Sequence, residues 1–279
     1  MNHVVLSVGA SKGRIQPSAL AYLRSIGIEG QAFYGNSVGA LNAAMYAAGK
    51  GRECEYLWDH ITNRQVFKGR TGPVAIALQA AKSKPVLDLS PLAQMMGHQL
   101  VGKRLVYPLT VQTVDYVEGL RTHHFPAGTM VGTDLLEAVY TSAAIPLMFP
   151  TPWGADGGIV NPIPLDAAIE RADVLDKIIV ISAHPVKPFI YDEAPTKELA
   201  KVGRAFDMMQ AALVRASLEP FISINDTLRR MGQNSLFGWK RFNELIIAPD
   251  EPLPWGMLDF TVASKMGEIG RQLARKATL

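Results

Sequence analysis

Three short stretches carry residue types that can act together on an ester. The first is Gly35-Asn36-Ser37-Val38-Gly39, a G-x-S-x-G turn. It follows the apolar run Ala32-Phe33-Tyr34, suited to a buried strand, and precedes Ala40 to Ala48, whose Ala, Leu and Met content favours a helix. Strand, turn and helix in that order make a nucleophile elbow. So tight a turn strains the backbone of Ser37, needs Gly35 and Gly39 to make room for neighbouring main chain, and is expected to push the Ser37 hydroxyl into the open. The N-terminal N–H groups of the following helix aim partial positive charge at the same space.

The second stretch is the small-residue loop Val8-Gly9-Ala10-Ser11-Lys12-Gly13-Arg14, which runs out of a first strand, His3 to Ser7. A phosphate-binding loop would need Lys and Ser/Thr after its last glycine, where Arg14 and Ile15 stand. A dinucleotide fingerprint would need a third glycine beside Gly9 and Gly13. Both nucleotide readings fail on residues. The other use of such a loop is to turn backbone N–H groups toward an oxyanion, with Lys12 adding positive charge; a plain turn with a surface lysine stays open. First and second strands would bring this loop and Ser37 to the carboxyl edge of one parallel sheet, where sites of open α/β sheets form.

The third stretch is Asp156-Gly157-Gly158. A carboxylate beside two glycines can approach another backbone closely and accept a hydroxyl proton, although the same tripeptide also makes ordinary turns. A carboxylate is a weak base for this step. The site would have to exclude water, raise the Asp156 pKa and stabilise the oxyanion strongly.

The elements around these stretches read as α/β. Ile15, Ala19, Tyr22, Leu23 and Ile26 form a helical pattern ending at Gly27. Between Gly51 and Val106 the signal is poor. It suggests a helix through Tyr56, Leu57, His60, Ile61 and Val66, another through Val74, Ala75, Leu78, Ala81 and Lys82, and a third after Ser90-Pro91, where Met95-Met96 reads as packing. Leu109 to Tyr116 and Arg121 to Phe125 pair as strands about Glu118-Gly119, and Leu135 to Ala144 is a helix. Ile178 to Ala183 is a buried strand, and Leu199, Val202, Phe206, Met209 and Leu213 make an amphipathic helix expected to end at Pro220. Leu245 to Ala248 is a last strand. Asp259 to Ala277 is a terminal helix whose Lys265, Arg271, Arg275 and Lys276 read as a solvated face.

The bulk properties narrow the class. With 279 residues, 48% of them hydrophobic and 19% charged, the chain buries a large core, and no linker or composition shift divides it. A formal charge of +3 is compatible with an anionic lipid surface and too weak to argue for nucleic acid. Cys54 is alone, so neither a disulfide framework nor a thiol metal site is expected. The first residues show no signal-peptide pattern. The most apolar window, Ala138 to Trp153, is too short and too Pro-broken to span a bilayer, so the reading is a cytoplasmic protein or one exported without an N-terminal signal.

In this order and spacing the three stretches closely resemble the patatin-like phospholipase family of serine–aspartate dyad acyl hydrolases. Thr141-Ser142-Ala143-Ala144-Ile145-Pro146, with Phe149-Pro150, looks like the family's approach to its Asp-Gly, and Gly157 to Pro164 looks like its continuation. The resemblance covers most of residues 3–185, is weaker over 241–275 and leaves 51–106 unmatched. It implies a three-layer α/β/α fold with a mostly parallel central sheet, as one domain over residues 1–279 with a partly helical insert at about 51–106. It also implies Ser37 as nucleophile, Asp156 as general base, an oxyanion hole at Val8, Gly9 and Ala10 with Lys12 at the family's basic position, and support from Gly35, Gly39, Gly157 and Gly158. The implied substrates are acyl esters of phospholipids and related lipids, cleaved through an acyl-enzyme with no metal or other cofactor. Peripheral membrane contact is compatible with this, and oligomeric state is left open.

One departure is visible. The family's loop carries three consecutive glycines, whereas this chain has Val8-Gly9-Ala10. Val8 resists a positive φ and Ala10 adds a methyl group near the substrate, so a catalytically weak homologue acting as a lipid-binding or scaffold protein is one alternative. A Ser-His-Asp esterase is another. The only histidine after Asp156 is His184, at the end of a buried strand.

Overall fold

The computed structural model of the chain describes residues 1–69, 85–146, 148–151, 154–191, 193–196, 198–254, 256 and 258–279. The helix expected through Val74 to Lys82 lies outside the described residues, as does Trp153. The chain starts with β1 (Asn2–Leu6), a 3-10 turn (Ala10–Arg14) and α1 (Ile15–Ser25), then β2 (Ala32–Gly35) and α2 (Val38–Ala47). Next come α3 (Gly51–His60), α4 (Asn63–Val66), the short strands β3 (Lys68–Gly69) and β4 (Leu87–Asp88), and α5 (Ser90–Leu100). β5 (Leu109–Asp115) and β6 (Gly119–Phe125) form a hairpin, followed by α6 (Thr133–Ser142), β7 (Ala155–Asp156) and a 3-10 turn (Gly157–Ile159). The last third holds α7 (Leu165–Arg171), β8 (Lys177–Ile181), α8 (Glu198–Arg230), the hairpin β9 (Ser235–Leu236) and β10 (Trp239–Lys240), β11 (Asn243–Ile247) and α9 (Ala263–Thr278).

Five strands run parallel in the order β11-β8-β1-β2-β5, and β6 and β7 each pair antiparallel with β5. Alternation along the strands builds two cores. Val4, Leu6, Phe33, Ile179 and Ile181 face one layer, which holds α1, α2, α5 and α6. Val5, Tyr34, Ile178 and Val180 face the other, where α7 and α8 pack. A strand buried on both faces must be apolar throughout, which is why Ile178 to Ile181 reads as an unbroken run. The result is a three-layer α/β/α fold around a mostly parallel sheet.

Register settles how the three stretches relate. Leu6 lies opposite Gly35, so the loop after β1 and the elbow after β2 leave the sheet side by side. Gly35 lies opposite Val111 on β5, and two residues on, Thr113 lies opposite Asp156 on β7. One strand, β5, bridges positions far apart in sequence.

The main correction concerns α8, which runs through Pro220 to Arg230. Proline inside a helix costs about 3 kcal/mol through a lost hydrogen bond and a clash with the preceding turn. Here Val214, Leu218, Phe221 and Leu228, spaced by four, three and seven residues, share one face and are buried, each contributing on the order of 2 kcal/mol. Asn225, on the same face, donates from Nδ2 to the Phe242 carbonyl at 2.9 Å and accepts the Phe242 N–H at 2.7 Å. Packing therefore outweighs the proline. The helix expected to reach Val66 is instead broken at Ile61, an extended C-cap, and resumes at Asn63 behind the Thr62–Gln65 capping box.

Candidate active site

Ser37 sits at the N-cap of α2 with φ 56° and ψ −130°, a region that side-chain-bearing residues avoid unless their surroundings enforce it. The enforcement is local. A Cβ on Gly35 would lie 2.2 Å from the Gly39 carbonyl oxygen, and one on Gly39 would lie 2.5 Å from the Leu6 carbonyl oxygen. Neither position admits a side chain. The Ser37 N–H donates to both the carbonyl (3.0 Å) and the hydroxyl (3.1 Å) of Ser142 at the end of α6. Asn36 is fully buried and fastens the turn to β5, accepting the Gln112 N–H at 3.0 Å and donating to the Gln112 Oε1 at 3.0 Å and the Asn161 carbonyl at 2.6 Å.

Asp156 arrives beside this turn from β7. Its N–H donates to the Ala144 carbonyl at 3.0 Å, so Ser142 and Ala144, two residues apart, hold both Ser37 and Asp156. Their part is invisible in the sequence, because it is played by two backbone carbonyls and a small hydroxyl. The Asp156 carboxylate accepts the Gly158 N–H at 2.7 Å, and a hydrogen-bonding interaction with the Ser37 side chain also lowers its pKa. Gly157 and Gly158 permit this approach: a Cβ on Gly157 would meet the Gln112 carbonyl at 2.2 Å, and one on Gly158 would meet the Val8 side chain at 2.1 Å. Burial pushes the Asp156 carboxyl up to about 7, against those two hydrogen bonds, which hold it down. That value makes it an acceptor for a proton near neutral pH.

Ser37 differs from expectation in one respect. It is only 5% exposed, so its hydroxyl opens into cavities rather than bulk solvent. Two cavities meet at Ala10, Ser37 and Ile145. The larger is walled by apolar side chains including Leu41, Trp58, Leu92, Met96, Phe149 and Phe260. The smaller is lined by Val8, Gly9, Asp156, Ile159, His184 and Gln210 among others. Met95 and Met96 thus face a cavity as well as the core.

The loop after β1 is divided. The Val8 N–H donates to the Pro162 carbonyl at 2.9 Å, so it does not point at the space beside Ser37. Among the described residues nothing accepts the N–H of Gly9 or Ala10, and the same holds for Val38, the residue after the nucleophile position. Gly9 and Ala10 line the smaller cavity, and Ala10 and Val38 line the larger one, each beside Ser37. Ala10 takes φ 46° and Val8 takes no positive φ. Lys12 lines neither cavity: it is buried, with Nζ 2.8 Å from the Asp207 Oδ2 on α8.

His184 lines the smaller cavity, yet its Nε2 has no partner among the described residues, neither Ser37 nor Asp156. Burial, with Lys12 nearby, pushes its imidazole down to about 3, too weak a base for a Ser-His-Asp relay. Among the described residues no helix is long and apolar enough to cross a membrane.

Comparison with known proteins adds the family. No curated relative matches the sequence. Among solved structures, VipD from Legionella pneumophila is similar over 99% of this chain at 13% identity with a TM-score of 0.46, and the chain spans 66% of the length of that one. The profile of the patatin-like phospholipases matches residues 4–169, more than half of the chain and including all three stretches. The chain belongs to the patatin-like phospholipase family.

Proposed function

We propose that this protein is a lipid acyl hydrolase of the phospholipase A or lysophospholipase type, cleaving fatty acyl esters with a Ser37–Asp156 dyad. The observation that carries the reading is that Ser37 and Asp156 line one cavity, where Asp156 is a buried carboxylate with its pKa raised to about 7 and the Ser37 side chain acts on that pKa. Ser37 Oγ attacks the ester carbonyl carbon as its proton passes to Asp156, and the resulting oxyanion faces the N–H groups of Gly9, Ala10 and Val38 at the α2 N-terminus. Collapse breaks the C–O bond to the alcohol, which leaves with the proton from Asp156. The acyl group stays on Oγ. Water then attacks the acyl-enzyme, gives its proton to Asp156, and fatty acid departs as Oγ regains that proton.

The apolar cavity supports a fatty acyl chain, since hydrocarbon gains about 0.8 kcal/mol per buried methylene. Leu57, Trp58, Ile61, Leu92, Met95 and Met96 of that wall come from the segment 51–106, so the insert belongs functionally to one acyl hydrolase domain spanning the chain. The substrate is drawn from a phospholipid or other acyl lipid at a membrane surface. The direct test is fatty acid release from a panel of mono- and diacyl glycerolipids by wild type and Ser37→Ala. Release by wild type alone supports the dyad, and equal release by both removes it.

A further inference from the structure

The smaller cavity holds polar atoms that the reaction as written does not use. His184 and Gln210 are 4% and 1% exposed, and both line it next to Ser37 and Asp156. Gln210 donates from Nε2 to the Gly158 carbonyl at 3.1 Å, which fixes the amide orientation and leaves Oε1 as an acceptor with no partner among the described residues. His184 Nε2 is likewise buried and unpartnered. A buried polar atom left unpaired costs about 1–3 kcal/mol, so two in one small cavity call for a ligand that satisfies them.

The chemistry of the pair narrows that ligand. Gln210 Oε1 can only accept, and a neutral imidazole nitrogen either accepts or donates, so a hydroxyl, which does both, satisfies the two together. A phosphate offers only acceptors to Oε1 and would want a cation. The nearest one, Lys12, is closed off against Asp207 at 2.8 Å. The cavity shares Ala10, Ser37 and Ile145 with the apolar chamber, so with the acyl chain in the larger space it is the space left beside Ser37 for the alcohol half of a bound ester.

We infer that His184 and Gln210 form a subsite for the alcohol half of the substrate, reading a free hydroxyl on the carbon beside the ester-bearing one, so that monoacyl glycerolipids are preferred over diacyl ones. The inference rests on the serine hydrolase reading above and adds the substrate class. In a diacyl lipid that hydroxyl is itself esterified and cannot donate, and it carries a second chain toward the smaller of the two cavities. His184 and Gln210 are specificity residues here, and neither takes the serine proton.

The test compares two esters that share a lauroyl chain and differ by one hydroxyl, 2-hydroxypropyl laurate and propyl laurate, each rate divided by its rate of hydroxide hydrolysis. Wild type should favour the hydroxylated ester in kcat/KM by roughly tenfold, the worth of one well-made hydrogen bond to a buried partner. His184→Leu should bring the ratio close to one, and His184→Gln, which keeps a hydrogen-bonding group, should restore part of it. The wild-type ratio depends on no variant's folding. A wild-type ratio near one overturns the subsite, as does a His184→Leu enzyme that slows both esters in parallel with the ratio intact. If neither ester is cleaved and Ser37 takes no fluorophosphonate, the hydrolase reading itself has failed and the subsite falls with it.

Discussion

The two turns that meet at the candidate site leave neighbouring parallel strands at the same edge, yet they are built differently. The elbow after β2 puts glycine wherever a side chain would strike main chain, at Gly35 and Gly39, and concentrates its strain on Ser37 at φ 56°. The loop after β1 has one glycine where the family has three. Gly9 is needed because a Cβ there would lie 2.5 Å from that of Ala183, whereas Ala10 accepts φ 46°. Val8 packs against Gly158 and spends its N–H on Pro162. In this chain sterics forbid a side chain at Gly9, Gly35 and Gly39, whereas positions 8 and 10 admit one.

Substitutions probe this contrast in descending size. Ser37→Ala removes the nucleophile and should lower ester hydrolysis by roughly 10⁴-fold or more while leaving the fold intact, checked by steady-state rates and circular dichroism. Gly35→Ala forces a methyl group to 2.2 Å from a carbonyl oxygen and should destabilise the protein by roughly 3 kcal/mol or more in denaturant titration. Val8→Gly, which restores the family's residue, should nonetheless destabilise by about 2 kcal/mol, because Val8 is 6% exposed and its side chain fills the space above Gly158. Ala10→Gly goes the other way. Relief of a left-handed alanine should stabilise by up to about 1 kcal/mol and change turnover less than threefold. If Val8→Gly stabilised and Ala10→Gly did not, the division of the loop drawn here would be reversed.

The Asp156 carboxyl adds a pH signature. Its folded pKa, about 7, lies above the usual carboxylate value of 3.8, so the folded state holds a proton that the unfolded chain releases. Its contribution to stability is full below about pH 4 and lost as pH rises through 7. Asp156→Asn should therefore raise the melting temperature relative to wild type more at pH 8 than at pH 5.

The elbow and the strands were legible because their signals are local: glycine spacing, apolar runs and alternation. Asp156 was legible only through its resemblance to a family, since Asp-Gly-Gly by itself is an ordinary turn. Three features were not legible. The continuation of α8 past Pro220 depends on packing against Phe242, remote in sequence. The engagement of the Val8 N–H depends on a carbonyl at Pro162, remote in sequence. The clamp from Ser142 and Ala144 is made largely by backbone, which composition does not reveal.

The central claim, that Ser37 is a nucleophile activated by Asp156, is tested most directly by the rate at which a fluorophosphonate labels the folded protein across pH 5 to 9, read by peptide mass. A single adduct should form on Ser37, roughly tenfold faster per pH unit below about 7 and levelling above it, with Asp156→Asn labelled far more slowly. Folded protein that takes no adduct on Ser37, or a profile that survives the loss of Asp156 unchanged, would contradict it.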